Sequence, residues 1–121
     1  MEIMNGTDII EVKRIQDDIE RLGDKFLKRI FTENEIKYCE EKKTQKYQSY
    51  AARFAAKEAI YKALSKFINE EYSWKDFEVL NDNSGRPYVN LGIKIKELES
   101  ISITLSHCKE YAVANVLAIY K

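Results

Sequence analysis

Apolar residues recur at helical spacing between residues 53 and 67, and this is the strongest periodic pattern in the chain. At about 100° per residue, one arc of such a helix carries apolar side chains, namely Ala56, Ile60, Ala63, Leu64 and Phe67. A different arc carries Glu58, Lys62 and Ser65, flanked by the small residues Ala55 and Ala59. The pattern predicts a central helix over residues 47–67 that packs on one face and presents ionisable groups on another. The two alanines leave room there for a backbone or a flat ligand.

The N-terminal third predicts a strand followed by a helix. Residues 3–10 form a short apolar run that is typical of a buried strand, and Gly6 permits a close backbone approach or a bulge. Residues 11–22 then follow helical spacing and end beside Gly23, which suits a C-cap. If the helix continued past Gly23, four cations would stack along one side: Arg14, Arg21, Lys25 and Lys28. Acidic residues are interspersed among them, so a solvated surface of mixed charge explains the same pattern.

The rest of the chain is rich in predicted strands. A capping box at residues 32–35 starts one more helix, whereas the turn-rich segment 81–87 and the alternating run 88–91 indicate a hairpin. Residues 100–106 alternate, so one face of this strand is apolar and the other carries hydroxyl groups. Residues 111–120 are apolar enough for an interior strand. Together these elements predict an α+β fold in which helices pack on an antiparallel β-sheet.

Composition bounds the size and class of the protein. The chain of 121 residues fits a single domain, 1–121, which buries only a modest core of its own, so oligomerisation would help. Lys plus Arg and Asp plus Glu number 20 each, so net charge indicates neither a nucleic-acid nor a membrane partner. No apolar run reaches the roughly 18 residues of a spanning helix, and no signal-peptide pattern begins the chain. We therefore expect a soluble protein. Cys39 and Cys108 show neither metal-site nor disulfide spacing, so we expect it in the reducing cytoplasm.

Asp8 is an acidic residue inside the apolar run of the first strand. An ionised carboxylate in an apolar setting is costly unless it meets a cation or a metal. Its partner would be a basic side chain or a helix N-terminus, or else a hard divalent cation shared with Glu58. Two carboxylates leave positions of an octahedral Mg²⁺ open for water and phosphate oxygens, and Lys62 could neutralise charge on such a phosphate. Taken alone, Glu58 and Lys62 have the spacing of a surface ion pair.

A second group of residues offers donors for another phosphate group. It consists of His107, Arg53 and the hydroxyls of Thr104 and Ser106. A lone histidine is otherwise more often structural.

Five motifs, in this order, resemble one known family. They are Gly6-x-Asp8-Ile9, Glu11-Val12-x-Arg14-Ile15, Arg53-Phe54-Ala55-Ala56-Lys57-Glu58-Ala59 with Lys62, Gly85-x-Pro87 and Ser106-His107. Together they run from end to end of the chain, which on these motifs resembles the holo-acyl-carrier-protein synthases of the 4'-phosphopantetheinyl transferase superfamily. Ser65 stands where that family often has a glycine, which predicts that the central helix runs on.

The resemblance implies a reaction and a role for each matching residue. The reaction is Mg-dependent transfer of phosphopantetheine from coenzyme A to a serine of apo acyl carrier protein in fatty acid biosynthesis, with release of 3',5'-ADP. Asp8 and Glu58 would hold Mg²⁺, and Lys62 would contact the pyrophosphate; the base is Glu58 or a metal-bound water. At the nucleotide end, Arg53 and His107 would bind the 3'-phosphate region, and Gly85 and Pro87 would border the adenine.

The resemblance also implies the partners. A homotrimer would set the metal residues of one subunit against nucleotide-contacting residues of its neighbour. A basic first helix would receive the acidic carrier protein, a role that fits Arg14, Arg21, Lys25 and Lys28. The alternatives are a non-catalytic coenzyme A or nucleotide-binding module with the same pocket, and a structural domain whose acidic pair is only salt-bridged.

Overall fold

The computed structural model describes residues 1–69 and 71–121. Within them the strands form two antiparallel sheets, ordered β1-β5-β4 and β2-β3, and helices pack on the larger one. The α+β prediction is therefore confirmed. None of the described helices is long and apolar enough to cross a membrane. The elements are β1 (Glu2–Glu11), α1 (Val12–Leu22), α2 (Asp24–Ile30), α3 (Glu33–Glu40), α4 (Lys46–Leu64), β2 (Phe77–Asn81), β3 (Pro87–Leu91), β4 (Leu98–His107) and β5 (Tyr111–Tyr120), with short 3-10 turns at Lys43–Gln45 and Trp74–Asp76.

Helix α4 is the central element, and the core forms around it. Four residues of the predicted apolar arc are fully buried, namely Ala56, Ile60, Ala63 and Leu64. Ala55 and Ala59 are fully buried as well, so the helix packs on more than one face. Beneath it, β5 presents mainly small side chains, which let helix and sheet approach closely; they are Ala112, Ala114, Val116 and Ala118. The prediction that the helix continues through Ser65 is wrong, because α4 ends at Leu64 and a turn follows.

The backbone that approaches Ala59 belongs to β1. A Cβ atom added to Gly6 would overlap the Ala59 carbonyl oxygen, so only glycine fits at this crossing. Of the two roles predicted for Gly6, the close approach is correct and the bulge is wrong, since β1 pairs with β5 in unbroken register. The small residues near Glu58 and Lys62 therefore admit a strand of the same chain rather than a flat ligand.

Replacing Gly6 by alanine should lower the free energy of unfolding by about 1–3 kcal/mol or more, because strand and helix must separate to admit the methyl group. Urea denaturation measures the change. Asn5→Ala, at an exposed position of the same strand, is the control and should change stability little. Equal stability of the two variants would mean that β1 moves away from α4 at no cost.

The prediction that the first strand is buried is wrong for one of its faces. Ile3 and Ile9 are 56% and 65% exposed, because α4 covers only the opposite side of β1. Register aligns these two residues with Ile119 and Val113 of β5, and the hydroxyl-bearing residues of β4 continue the same face. The larger sheet thus presents an outer face with apolar residues that no described helix covers.

The predicted stack of four cations is also corrected. Gly23 has φ of 62° and ψ of −142°, which ends α1 and starts α2 in a new direction. Arg14 and Arg21 therefore lie on α1, whereas Lys25 and Lys28 lie on α2. All four remain exposed, so they form a basic surface across two helices rather than a stripe along one.

Candidate active site

Asp8 meets a lysine of α4. The Nζ of Lys62 donates to Asp8 Oδ1 at 3.3 Å and to the Thr7 carbonyl oxygen at 2.8 Å. Gly6 brings β1 against α4, and strand alternation puts Asp8 on the same face as Gly6, so the carboxylate reaches the helix. Of the partners predicted for Asp8, a basic side chain is in contact with it.

Glu58 lies one turn before Lys62 and is half-buried. Burial raises the pKa of Glu58, and the nearby Asp8 carboxylate raises it further, whereas Lys62 and Arg14 lower it. A carboxylate whose charge is disfavoured by a second carboxylate nearby belongs to a donor set that fits a hard divalent cation. No group of three or more His, Cys, Asp or Glu suited to a metal occurs in the described part of the chain. Among the residues that the structure describes, Asp8 and Glu58 are therefore a pair of carboxylates, and not a larger cluster, that would be available to such a cation.

A cleft of about 620 Å³ adjoins Glu58. Aromatic side chains make up much of its lining, and they stack on one another. The ring centroids of Tyr61 and Tyr72 are 5.4 Å apart, and those of Tyr72 and Phe77 are 5.5 Å apart. The aromatic lining is suited to the organic part of a ligand. A charged part of the same ligand would lie beside Glu58.

A second cleft, of about 250 Å³, brings together four of the predicted nucleotide-binding residues. They are Arg53, Gly85, Pro87 and His107. Only 3% of Arg53 is exposed; it donates to Asn81 Oδ1 and its guanidinium carbon lies 4.0 Å from the centroid of the Tyr38 ring. Its Nε has no hydrogen-bond partner among the described residues. A cationic guanidinium beside a cleft is suited to an anion such as phosphate.

Thr104 and Ser106 do not join this cleft within one chain. They are exposed on the outer face of β4, whereas Leu105 and His107, at alternate positions, line the cleft. The predicted grouping of both hydroxyls with Arg53 and His107 is therefore not formed within the single chain, because neighbouring strand residues point to opposite faces.

The two groups of predicted residues lie on opposite sides of α4. Arg53 and Glu58 are five residues apart, which turns their side chains by about 140° around the helix axis. Glu58 and Lys62 lie on the side of β1, and Arg53 lies on the side of β4. Because β1 and β4 are the two edges of the larger sheet, each chain carries half of the predicted site at each edge.

Sequence reasoning missed the polar contacts that surround these groups. Lys57 and Glu35 form a fully buried ion pair, and Asn81 receives the Arg53 guanidinium. One signal was present for Lys57, since at helical spacing it lies at the edge of the apolar arc with Ile60 and Leu64. Glu35 has a second role, because its side chain also completes the predicted capping box.

Comparison with known sequences assigns this chain to a family. A model of the 4'-phosphopantetheinyl transferase superfamily matches residues 4–116. The chain is 52% identical over 120 residues to the holo-[acyl-carrier-protein] synthase of Ruminiclostridium cellulolyticum, with 94% of this chain and 90% of that protein covered.

Solved structures that resemble this chain are of holo-[acyl-carrier-protein] synthases as well. The Helicobacter pylori holo-[acyl-carrier-protein] synthase in complex with coenzyme A matches with a TM-score of 0.82 and 33% identity, over 96% of this chain and 100% of that one. The Bacillus anthracis synthase in complex with coenzyme A (3',5'-ADP) matches with a TM-score of 0.78 and 39% identity, over 98% and 96%. The chain therefore belongs to the holo-[acyl-carrier-protein] synthases of the 4'-phosphopantetheinyl transferase superfamily, as its motifs predicted.

Proposed function

We propose that this chain transfers the 4'-phosphopantetheine group of coenzyme A to a serine of apo acyl carrier protein in a Mg²⁺-dependent reaction of fatty acid biosynthesis. One observation carries the proposal: Asp8, Glu58 and Lys62 meet beside a cleft, in a chain similar over its length to proteins named holo-[acyl-carrier-protein] synthase. The coenzyme A complexes of the H. pylori and B. anthracis proteins support the choice of donor. The two free cysteines suit the reducing cytoplasm in which we expect the protein to work.

The reaction exchanges a phosphoanhydride bond of coenzyme A for a phosphate ester on the carrier serine. The serine hydroxyl oxygen attacks the β-phosphorus of coenzyme A, the bond from that phosphorus to the bridging oxygen breaks, and 3',5'-ADP leaves. Asp8 and Glu58 would hold Mg²⁺, which when bound neutralises charge on the pyrophosphate. Lys62 is half exposed, so its ammonium group can turn from Asp8 to a phosphate oxygen. The serine proton passes to Glu58 or to a water beside it.

The nucleotide end of the donor would occupy the cleft of Arg53. The guanidinium of Arg53 and the imidazole of His107 line this cleft and would offer donors to the 3'-phosphate, while Gly85 and Pro87 would give a flat border to the adenine. A single coenzyme A cannot contact this cleft and Glu58 in the same chain without passing around α4.

A homotrimer resolves this separation. If the β1 edge of one subunit meets the β4 edge of the next, Glu58 of the first faces the Arg53 cleft of the second. The exposed outer face, with Ile3 and Ile9, would be buried by the assembly. Thr104 and Ser106, exposed on that face, would then reach a site shared between subunits.

Mass spectrometry of the carrier tests the function directly. Incubation of the protein with apo acyl carrier protein, coenzyme A and Mg²⁺ should raise the carrier mass by one phosphopantetheine group. Coenzyme A binding with an unchanged carrier mass would favour a non-catalytic binding module. Absence of coenzyme A binding by calorimetry would favour a structural domain.

We further propose that the acidic carrier docks on the exposed cations of α1 and α2. Reversal of two of them, in Arg21→Glu/Lys28→Glu, should raise the KM for the carrier about tenfold and leave coenzyme A binding unchanged. Arg14 is left intact in this variant because its charge acts on Glu58. Raising ionic strength from about 0.05 to 0.5 M shortens the Debye length from roughly 14 to 4 Å, so salt should raise the carrier KM of the wild type in the same way.

The control is Lys94→Glu/Lys96→Glu, which makes the same change in net charge at exposed residues between β3 and β4. Initial rates at varied carrier concentration, in low and high salt, give the KM values. Equal values for both variants and the wild type in low salt would mean that the carrier docks elsewhere.

A further inference from the structure

A buried ion pair lies directly behind the cleft that contains Glu58. The Nζ of Lys57, the residue before Glu58, lies 2.8 Å from Oε1 of Glu35, and neither side chain has exposed surface. The same ammonium group donates to the carbonyl oxygens of Trp74 at 3.1 Å and Phe77 at 2.9 Å. All three ammonium protons of Lys57 therefore have acceptors.

Both carboxylate oxygens of Glu35 also accept hydrogen bonds from the backbone. Its Oε1 also accepts the backbone N–H of Thr32 at 2.9 Å, and its Oε2 accepts the backbone N–H of Val79 at 2.9 Å. Burial lowers the pKa of Lys57, and the Glu35 carboxylate opposes that effect. A buried ion pair is tolerated when additional hydrogen bonds satisfy both partners, as they do here. The pair thereby joins α3, α4 and the start of β2.

The pair bears on the reaction through the segment 74–77. Trp74 and Phe77 line the cleft, to which α4 contributes Glu58 and Tyr61. Among the described residues, the other backbone hydrogen bonds of the turn Trp74–Asp76 run to Ser73, Phe77 and Gly92, so its hydrogen bond to α4 comes from Lys57. The stacking of Trp74 on Phe54, with centroids 5.2 Å apart, adds an apolar contact to the same helix.

We propose that Lys57 and Glu35 are positioning residues for the transfer reaction, because they hold the Trp74–Phe77 wall of the cleft at a fixed distance from Glu58. The inference rests on the proposed function. Lys57 borders the cleft, but its side chain has no exposed surface, so its role is to hold the wall and not to bind the donor itself. The part of coenzyme A that moves with the β-phosphate lies against this wall, whereas 3',5'-ADP, which lacks that part, does not.

The test compares the binding of coenzyme A with that of 3',5'-ADP. Lys57→Met/Glu35→Gln removes both charges at similar volume and keeps an acceptor for the Val79 N–H, but it removes the hydrogen bonds that tie the segment 74–77 to α4 and leaves the stacking of Trp74 on Phe54. Calorimetry in Mg²⁺ should give a Kd for coenzyme A about tenfold higher than in the wild type and a Kd for 3',5'-ADP within twofold. The kcat/KM for coenzyme A should fall at least tenfold.

A destabilised core variant separates positioning from stability. Ile60→Val removes one buried methyl group from α4 and leaves Lys57, Glu35 and the residues of the wall unchanged, so its Tm gives a reference for the loss of stability. If it lowers coenzyme A binding as much as the double variant does, or if a folded double variant binds and transfers like the wild type, the inference is wrong. A wild type without transfer would instead overturn the proposed function.

Trp74 supplies a measurement that does not require the double variant to fold. It is the single tryptophan of the chain, so its fluorescence reports on the wall alone. In the wild type, coenzyme A should shift the Trp74 emission and reduce its quenching by acrylamide, and 3',5'-ADP should do neither. An active wild type whose emission is unchanged by coenzyme A would show that the donor does not contact this wall.

Discussion

Asp8→Asn and Glu58→Gln should each abolish transfer while the chain keeps its fold. Each variant removes a negative charge from the proposed Mg²⁺ site with little change in volume, so kcat/KM should fall by on the order of 10²–10³ or more. Folding should not suffer at Glu58, because burial raises its pKa and the ionised form is disfavoured in the folded chain. Any stability that this group contributes is lost as pH rises through its raised pKa, so the Tm of Glu58→Gln at neutral pH should equal or exceed that of the wild type.

Carrier modification by mass spectrometry and the dependence of rate on Mg²⁺ measure the loss. The matched control is Asp17→Asn, which removes a carboxylate that pairs with Lys13 on the exposed side of α1. It should keep its activity and its Mg²⁺ dependence. Activity retained in both Asp8→Asn and Glu58→Gln would refute the metal assignment and leave the contact between Asp8 and Lys62 as a surface ion pair.

The relative placement of site residues that are close in sequence was predictable, because it depends only on helical or strand spacing. Helical spacing puts Glu58 and Lys62 on one arc of α4, and the structure keeps them there. The partner of Asp8 was not predictable beyond a set of options, because Lys62 lies 54 residues away and only the Gly6 crossing brings the two together. The same limit applies to Glu35 and Lys57, whose contact depends on how three elements pack.

Burial of the strands shows a second limit. β1 has apolar residues on both faces, which predicted a buried strand, yet Ile3 and Ile9 are exposed in the single chain. An apolar pattern reports that a face has to be covered, and it does not report which molecule covers it. A second subunit is the cover that we propose, and it also accounts for Arg53 and Glu58 lying on opposite sides of α4.

Inactive chains with defects on opposite sides of α4 should therefore restore each other's activity. One chain carries Asp8→Asn, and the other carries Arg53→Gln/His107→Ala, which removes two charge-assisted contacts worth about 1.5–3 kcal/mol each. Co-expression with two different tags and purification by both gives mixed assemblies. In a cyclic trimer with two kinds of subunit, one of the three interfaces joins an intact metal side to an intact nucleotide side, so about a third of wild-type activity should return.

A second mixture, with both defects on the same side of α4, is the control for this experiment. Asp8→Asn combined with Glu58→Gln places both defects on the metal side, so no interface in any mixed assembly is intact, and activity should stay at the level of the separate variants. Light scattering checks that both mixtures have the same mass. Recovery in the first mixture but not the second requires a site built from two subunits. Parental activity in both, from assemblies that are folded and of the expected mass, would mean that one chain holds the whole donor and that α4 does not divide the site.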